Sequence, residues 1–204
     1  MLNTLAKSFS AGILIAIGGS VFLATENRVA GSVLFSVALL SICYLGLFLF
    51  TGKIGFFPED VSLQNAARLT LGLCGNLTAA FLSGLLIRGC LPSLGERAHA
   101  LFSAKLEESF GEAFVRALFC GILMYVAVAV FRDKKTPIGI LFCVPVFILC
   151  GFEHSIADMF YFGASGIFRA QAVVFFLAAV LGNAAGSMIL PLLNKIGEKR
   201  NETE

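Results

Sequence analysis

Charged residues fall in bunches along this 204-residue chain, and the intervals between them define its elements. Six stretches carry no Asp, Glu, Lys or Arg: Ser8–Thr25, Val29–Gly52, Leu69–Ile87, Ala117–Phe131, Thr136–Phe152 and Ala170–Asn194. A bilayer-crossing helix needs roughly 17–25 mainly apolar residues. Five stretches approach or exceed that length, and the fourth does so once extended back through Ala113–Arg116. The pattern predicts six spans. The first is read as a span and not a signal peptide, because it lacks a convincing small-residue cleavage site and five more spans follow. The longest polar connection, Arg88–Glu112, leaves no room for a soluble domain. Its end, from Lys105, is read as the start of a helix into span four, and Glu198–Glu204 as a short solvated tail. Residues 1–204 thus form a single transmembrane domain.

Composition narrows the class. Apolar residues make up 58% of the chain and charged residues only 14%, against roughly 25% charged in an ordinary soluble domain. A disordered chain is excluded. The net charge of +2 is spread along the sequence and offers no basic patch to nucleic acid. The six cysteines show no CxxC and no Cys/His metal spacing, so they read as small buried apolar residues in a reducing setting. No metal or cofactor is expected.

An even number of spans puts both termini on one side. Nine of the 15 Lys and Arg fall there, with compact clusters at Arg132–Lys135 and Lys195–Arg200. The positive-inside tendency places that side in the cytoplasm, which in a bacterial-type cell means the inner membrane. The chain also repeats itself. Gly75-Asn76 in span three matches Gly182-Asn183 in span six, and Gly12-Ile13-Leu14 matches Gly121-Ile122-Leu123, at offsets of 107 and 109. Three spans per half make this an inverted 3+3 repeat, about 8–87 and about 113–194, with a site expected near the midplane at broken helices.

Two spans look broken. Span two runs into Thr51-Gly52-Lys53-Ile54-Gly55, which predicts irregular backbone before span three. Span five, Pro137–Gly163, is too long for one straight helix at about 1.5 Å per residue, and Gly151–Ser155 interrupts it. Irregular backbone at membrane depth persists only where protein buries it or it lines a watery cavity. The second break carries the densest chemistry: Glu153, His154 and Asp158 beside an apolar span. Ionisable groups inside a membrane are costly and mark function by default; the plain alternative is a surface loop with its charges in water.

Gly151-Phe152-Glu153-His154-Ser155-Ile156-Ala157-Asp158-Met159-Phe160 resembles the Gly-Phe-Glu-His-Ser-(Ile/Val)-Ala-Asn-Met-(Phe/Tyr) signature of the formate/nitrite transporter family. The resemblance extends over all six spans, through Gly75-Asn76-Leu77, Gly182-Asn183-Ala184-Ala185-Gly186 and Ala104-Lys105. It implies an all-α, aquaporin-like channel: a homopentamer in the lipid bilayer, each protomer with its own pore for small monovalent anions and protons. It further implies constrictions formed by Phe35 and Leu39 of span two with Phe147 of span five, Thr51 in the loop after span two, His154 at the centre, and Lys105 drawing anions to the outer mouth. Asp158 departs from the family's Asn, Phe48 stands where an acidic residue is frequent, and Gly121 is near a usual Asn.

Physics alone leads the same way. A bare anion crossing a dry apolar ring faces a desolvation penalty that reaches tens of kcal/mol in a wholly apolar medium. A histidine, with an unperturbed pKa of about 6.5, offsets this by giving the anion a proton or by stabilising it as a cation. Glu153 has two readings open, as a support of the broken loop or a partner of its neighbours. Asn76 and Asn183 are either substrate contacts or partners of freed carbonyls. The expected function is transport of a weak-acid anion such as formate, nitrite or hydrosulfide, not catalysis. The alternatives are a neutral-solute pore, which an inverted repeat fits but which needs no central histidine, and a membrane enzyme using Glu153, His154 and Asp158, whose spacing is not that of HExxH.

Reporter fusions at Glu204 and inside Arg88–Glu112 are expected to read opposite sides of the membrane. A same-side readout removes the six-span arrangement.

Overall fold

A computed structural model describes the backbone of residues 1–201 and side chains to residue 197; the expected tail at Glu198–Glu204, with Lys199 and Arg200, lies outside the described side chains. The described chain is all helical. Four helices are long and apolar enough to cross a membrane: α1 (Leu2–Ala24), α4 (Leu63–Cys90), α6 (Phe110–Lys134) and α9 (Gln171–Asn201). Between them lie two interrupted helical stretches. The first is α2 (Arg28–Tyr44) followed by α3 (Phe50–Lys53) and a 3-10 turn, Ile54–Glu59; the second is α7 (Ile138–Leu149) followed by α8 (Ser155–Ser165). The remaining helix, α5 (Pro92–Lys105), occupies the connection that the charge pattern left as a polar link. Proline in its first turn explains this start, since a fixed φ and missing N–H cost nothing there.

Local chemistry sets several helix starts. Asn27 accepts the Ala30 N–H at 3.0 Å at the start of α2, and Ser62 accepts the Asn65 N–H at 3.1 Å at the start of α4. Ser109 and Glu112 form a reciprocal capping box on α6, so the helix into span four starts at Phe110, after the turn that follows Lys105. α1 packs on α4, and α6 packs on α9, through small residues. A Cβ at Gly12 would meet the Asn76 carbonyl, one at Gly121 the Asn183 carbonyl, and those at Gly182 and Gly186 the α6 backbone at Phe114 and Leu118. Helices in lipid approach this closely only where side chains are small.

The breaks occur where glycine adopts positive φ: Gly46 at +61° and Gly151 at +68°. The second falls inside the predicted Gly151–Ser155 segment. The first differs from expectation. The irregular backbone precedes Thr51, at Leu45–Leu49, and the Thr-Gly-x-x-Gly segment is helical. Tertiary partners explain the shift. Asn76 Oδ1 accepts the Phe50 N–H at 2.8 Å, while its Nδ2 donates to Phe48 O at 2.9 Å and Ser8 O at 2.7 Å. Asn183 does the same at the other break: Oδ1 accepts the Ser155 N–H at 2.9 Å, and Nδ2 donates to Glu153 O and Ala117 O, both at 2.8 Å.

One further expectation is corrected. Of the six cysteines only Cys120 is buried; Cys43 and Cys143 are intermediate, and Cys74, Cys90 and Cys150 are exposed. These three sit on the molecule's outside, where an apolar side chain is at home in lipid as much as in a core.

Asn183→Leu is expected to lower thermal stability in detergent, because it strips a buried N–H and two carbonyls of partners at about 1–3 kcal/mol per orphaned group. An unchanged melting temperature would show that the loop at Gly151–His154 holds without it.

Candidate functional site: a buried Thr–His pair between two cavities

The two breaks carry Thr51 and His154 toward each other. Thr51 follows the first break in α3, and His154 is the N-cap of α8 after the second. Their side chains meet at 2.9 Å between Oγ1 and Nε2, and both residues are buried, at 0% and 2% exposure. His154 Nδ1 accepts the Ala157 N–H at 3.2 Å. An accepting Nδ1 has no proton, so the neutral ring carries its proton on Nε2 and offers it to the Thr51 hydroxyl. The helix cap thereby fixes both the orientation and the tautomer of the imidazole.

Aromatic rings cover this pair. Phe147 stacks on His154 with centroids 5.7 Å apart and planes 17° from parallel. Phe35 meets the edge of Phe147 at 6.4 Å and 83°. Phe35, Phe147 and His154 line one small cavity of about 80 Å³, together with Arg28, Lys105 and Asp158. Leu39 lines a different cavity, of about 300 Å³, with Lys53, Arg132 and Lys135. This second cavity lies at the face that holds the chain's N-terminal end, since Phe48 N–H bonds to Lys7 O and Lys195 Nζ to Pro58 O. A neighbouring cavity at that face adds Lys7 and Arg68.

At the first cavity's outer end, Lys105 lies between two carboxylates. It pairs with Glu153 and, at 3.1 Å, with Asp158; the two acids are each 2% exposed and Lys105 14%. Its ammonium is therefore committed to protein partners in this state. The Glu153 backbone carbonyl accepts from Asn183, and its carboxylate pairs with Lys105. Asn76 and Asn183 are wholly buried and spend their amides on backbone, away from the lining of both cavities.

Sequence reasoning missed four contributors. Arg28 lines the His154 cavity. Arg116 donates to Gly151 O at 3.0 Å and faces Glu108 at 3.4 Å. Arg88 and His99 converge on Ser165 O at the C-terminus of α8, where a cation complements exposed carbonyls. Their only signal was position: each is a charged or polar residue in, or beside, the 88–112 connection or at the start of span two. Taken together, the site offers hydrogen-bond donors and acceptors beside apolar rings that line a small cavity.

Known proteins place this geometry. The formate/nitrite transporter family model matches residues 1–195. Among curated relatives, the uncharacterized transporter YwcJ of Bacillus subtilis (strain 168) is 29% identical, covering 90% of this chain and 84% of its own. The uncharacterized transporter YrhG of the same organism is 27% identical, covering 80% and 68%. Two solved structures share the fold: a pentameric formate channel with formate bound, at TM-score 0.81 and 20% identity over 98% of this chain and 97% of that one, and an FNT family ion channel, at 0.79 and 23% over 93% and 87%. With the family matched from Met1 to Lys195 and helices apolar enough to cross a bilayer, this chain is a multi-pass membrane protein that belongs to the formate/nitrite transporter family.

Proposed function

We propose that the protein is a channel or transporter for a small weak acid, formate, nitrite or hydrosulfide, and that the solute passes His154 between apolar constrictions. The observation that carries this reading is the Thr51–His154 pair beneath Phe35 and Phe147. A passing solute needs a hydrogen-bond partner where water is stripped away, and the Nε2–H of His154 is held ready for one. An entering anion takes the place of the Thr51 hydroxyl. For His154 to act as a cation or proton donor it must release the Ala157 N–H, because Nδ1 then becomes a donor.

The charge layout favours anions. Lys53, Arg132 and Lys135 line the cavity on the side of the chain termini, with Lys7 and Arg68 beside it, and Arg28 lines the opposite one. Cationic walls of low dielectric raise the local anion concentration. A neutral-solute pore gains nothing from them. The matched bonds of Asn76 and Asn183, and the matched close seating of Gly12 on Asn76 and of Gly121 on Asn183, support an inverted 3+3 repeat folded as one domain. The lysines and arginines at the termini face support its placement in the cytoplasm of a cell with a bacterial-type inner membrane. The similar pentameric formate channel supports a homopentamer. Exposed apolar faces such as Val29, Val33 and Val37 of α2 and Val173, Val174 and Leu177 of α9 suit lipid or a neighbouring protomer.

In liposomes, His154→Phe is expected to abolish formate and nitrite uptake, and His154→Asn to retain a fraction, because it keeps a donor. Wild-type uptake by His154→Phe would reduce His154 to packing. Phe147→Ala is expected to raise acetate flux relative to formate. The protein should stay assembled, since a ring bordering a cavity gives up less packing than the about 3–5 kcal/mol of a core Phe→Ala change. Unaltered selectivity would place Phe147 outside the path.

A further inference from the structure

Two cavities at the termini face share a wall. The one of about 300 Å³ and its neighbour of about 270 Å³ are both lined by Gly46, Leu47, Lys53 and Phe56. Arg132 and Lys135 line the first, and Lys7 and Arg68 line the second. No Asp or Glu lines either one. Five cations thus reach this double cavity from α1, α3, α4 and the end of α6. Among the described residues only Arg132 of these five has carboxylate partners. Its guanidinium forks onto Glu59 at 2.9 and 3.0 Å and meets Asp133 at 3.2 Å. Lys7, Lys53, Arg68 and Lys135 form no ion pair with a described residue.

Exposed cations are ordinarily well solvated, and their number alone makes no site. Enclosure does so here. Leu39, Ile42 and Leu49 line the first cavity and are buried, so Lys53 and its neighbours stand against low-dielectric walls. Like charges gathered there repel more strongly than in open water, and the field they focus draws a counter-ion. The five side chains are themselves exposed, hence open to a ligand from the aqueous side.

We infer that this double cavity binds a phosphate-bearing polyanion, which bridges the two halves across Lys53 and closes the solute path at Leu39. The closure rests on the transport reading above; the binding does not. A monovalent anion of three or four atoms fits inside either cavity and meets only the cations of that one. An anion with two or more linked charged groups places one group in each and shares Lys53 between them. Phosphate suits these partners, because lysine serves as a point charge and the Arg68 guanidinium as a fork. The Arg132 fork is already committed to Glu59. Such an ion does not follow a monovalent anion past Leu39, because the cost of leaving water rises with charge. It stays in the mouth and excludes the transported solute.

The opposite end of the molecule has no comparable place. Asp158 lines the His154 cavity, and Glu107, Glu108, Glu112 and Glu153 line the cavity of about 370 Å³ beside the turn that follows Lys105. Those carboxylates repel a polyanion, which confines the site to the termini face. Two sources present phosphate to that face: a soluble polyphosphate such as pyrophosphate, and the headgroup of an anionic lipid, which basic side chains at a membrane surface attract. The recognising chemistry is the same, and vesicle composition tells the two apart.

The test has a binding arm and a flux arm. Purified protein in detergent is expected to bind radiolabelled pyrophosphate. Lys53→Gln and Arg68→Gln should each weaken binding about tenfold, the size of one lost hydrogen bond to a charged group. Asn3→Asp should weaken it as well, since it puts a carboxylate on the lining of the second cavity and removes no cation. In phosphatidylcholine liposomes, pyrophosphate on both sides should inhibit formate uptake. The same variants should raise the half-inhibiting concentration by the same factor, each measured against its own uninhibited rate. Uptake already inhibited in liposomes containing phosphatidic acid, and relieved by Lys53→Gln, identifies the lipid as the source. Inhibition equalled by sodium chloride at the same ionic strength, or unaltered in Lys53→Gln and Arg68→Gln, overturns the site. So does the absence of both pyrophosphate binding and a phosphatidic acid effect. Binding without inhibition overturns the closure. A wild type that binds pyrophosphate but carries no formate, nitrite or hydrosulfide overturns the transport reading and leaves the site standing.

Discussion

A broken helix inside a bilayer leaves backbone N–H and C=O groups with no water to turn to, and each such group is costly. Two buried asparagines meet that demand here. Asn76 and Asn183 each accept one N–H beyond a break and donate to one carbonyl within it, while a third bond ties the break to α1 or α6. Thr51 and His154 follow the breaks by a few residues, so their meeting at 2.9 Å depends on where those amides hold the chain. The close seating of Gly12 on Asn76 and of Gly121 on Asn183 belongs to the same device, since side chains there would push the asparagine-bearing helices away.

Electrostatics divide the two ends of the molecule. The termini face surrounds its cavities with Lys7, Lys53, Arg68, Arg132 and Lys135. At the other end cations are paired: Lys105 with two buried acids, Arg116 with Glu108 and the Gly151 carbonyl. A charge committed in this way costs less to bury but attracts a passing anion less, because its field is largely cancelled. Arg28 also lines the cavity at that end.

Several features were legible before any coordinates. Charge-free intervals located the four helices long and apolar enough to cross a membrane and the two interrupted stretches between them, because lipid tolerates few charges, and Gly151 marked the second break, because few other residues adopt positive φ easily. The first break was harder. Gly46 and the Gly52/Gly55 pair are all compatible with a bend, and local propensity does not choose among them. Asn76, distant in sequence, does, by satisfying Phe48 and Phe50. The helix α5 was hidden because its mean composition is polar, although Pro92 and the run to Lys105 suit a helix lying at the surface. The cysteines misled for a related reason: in a membrane protein apolar character does not tell inside from outside.

Composition and spacing therefore determined that this chain crosses a membrane, that two of its passages are interrupted, and that His154 is chemically conspicuous. Those are consequences of the cost of charge in lipid and of periodic local signals, both readable one segment at a time. Only the tertiary structure decided which tautomer His154 adopts, that Thr51 is its partner, and that Lys105 is spent on Glu153 and Asp158. It also brought Glu108, 45 residues before Glu153 in the chain, to the cavity that Glu153 lines. Those contacts join segments far apart in sequence, and their geometry is set by how closely glycine-bearing helices pack, which no single segment encodes.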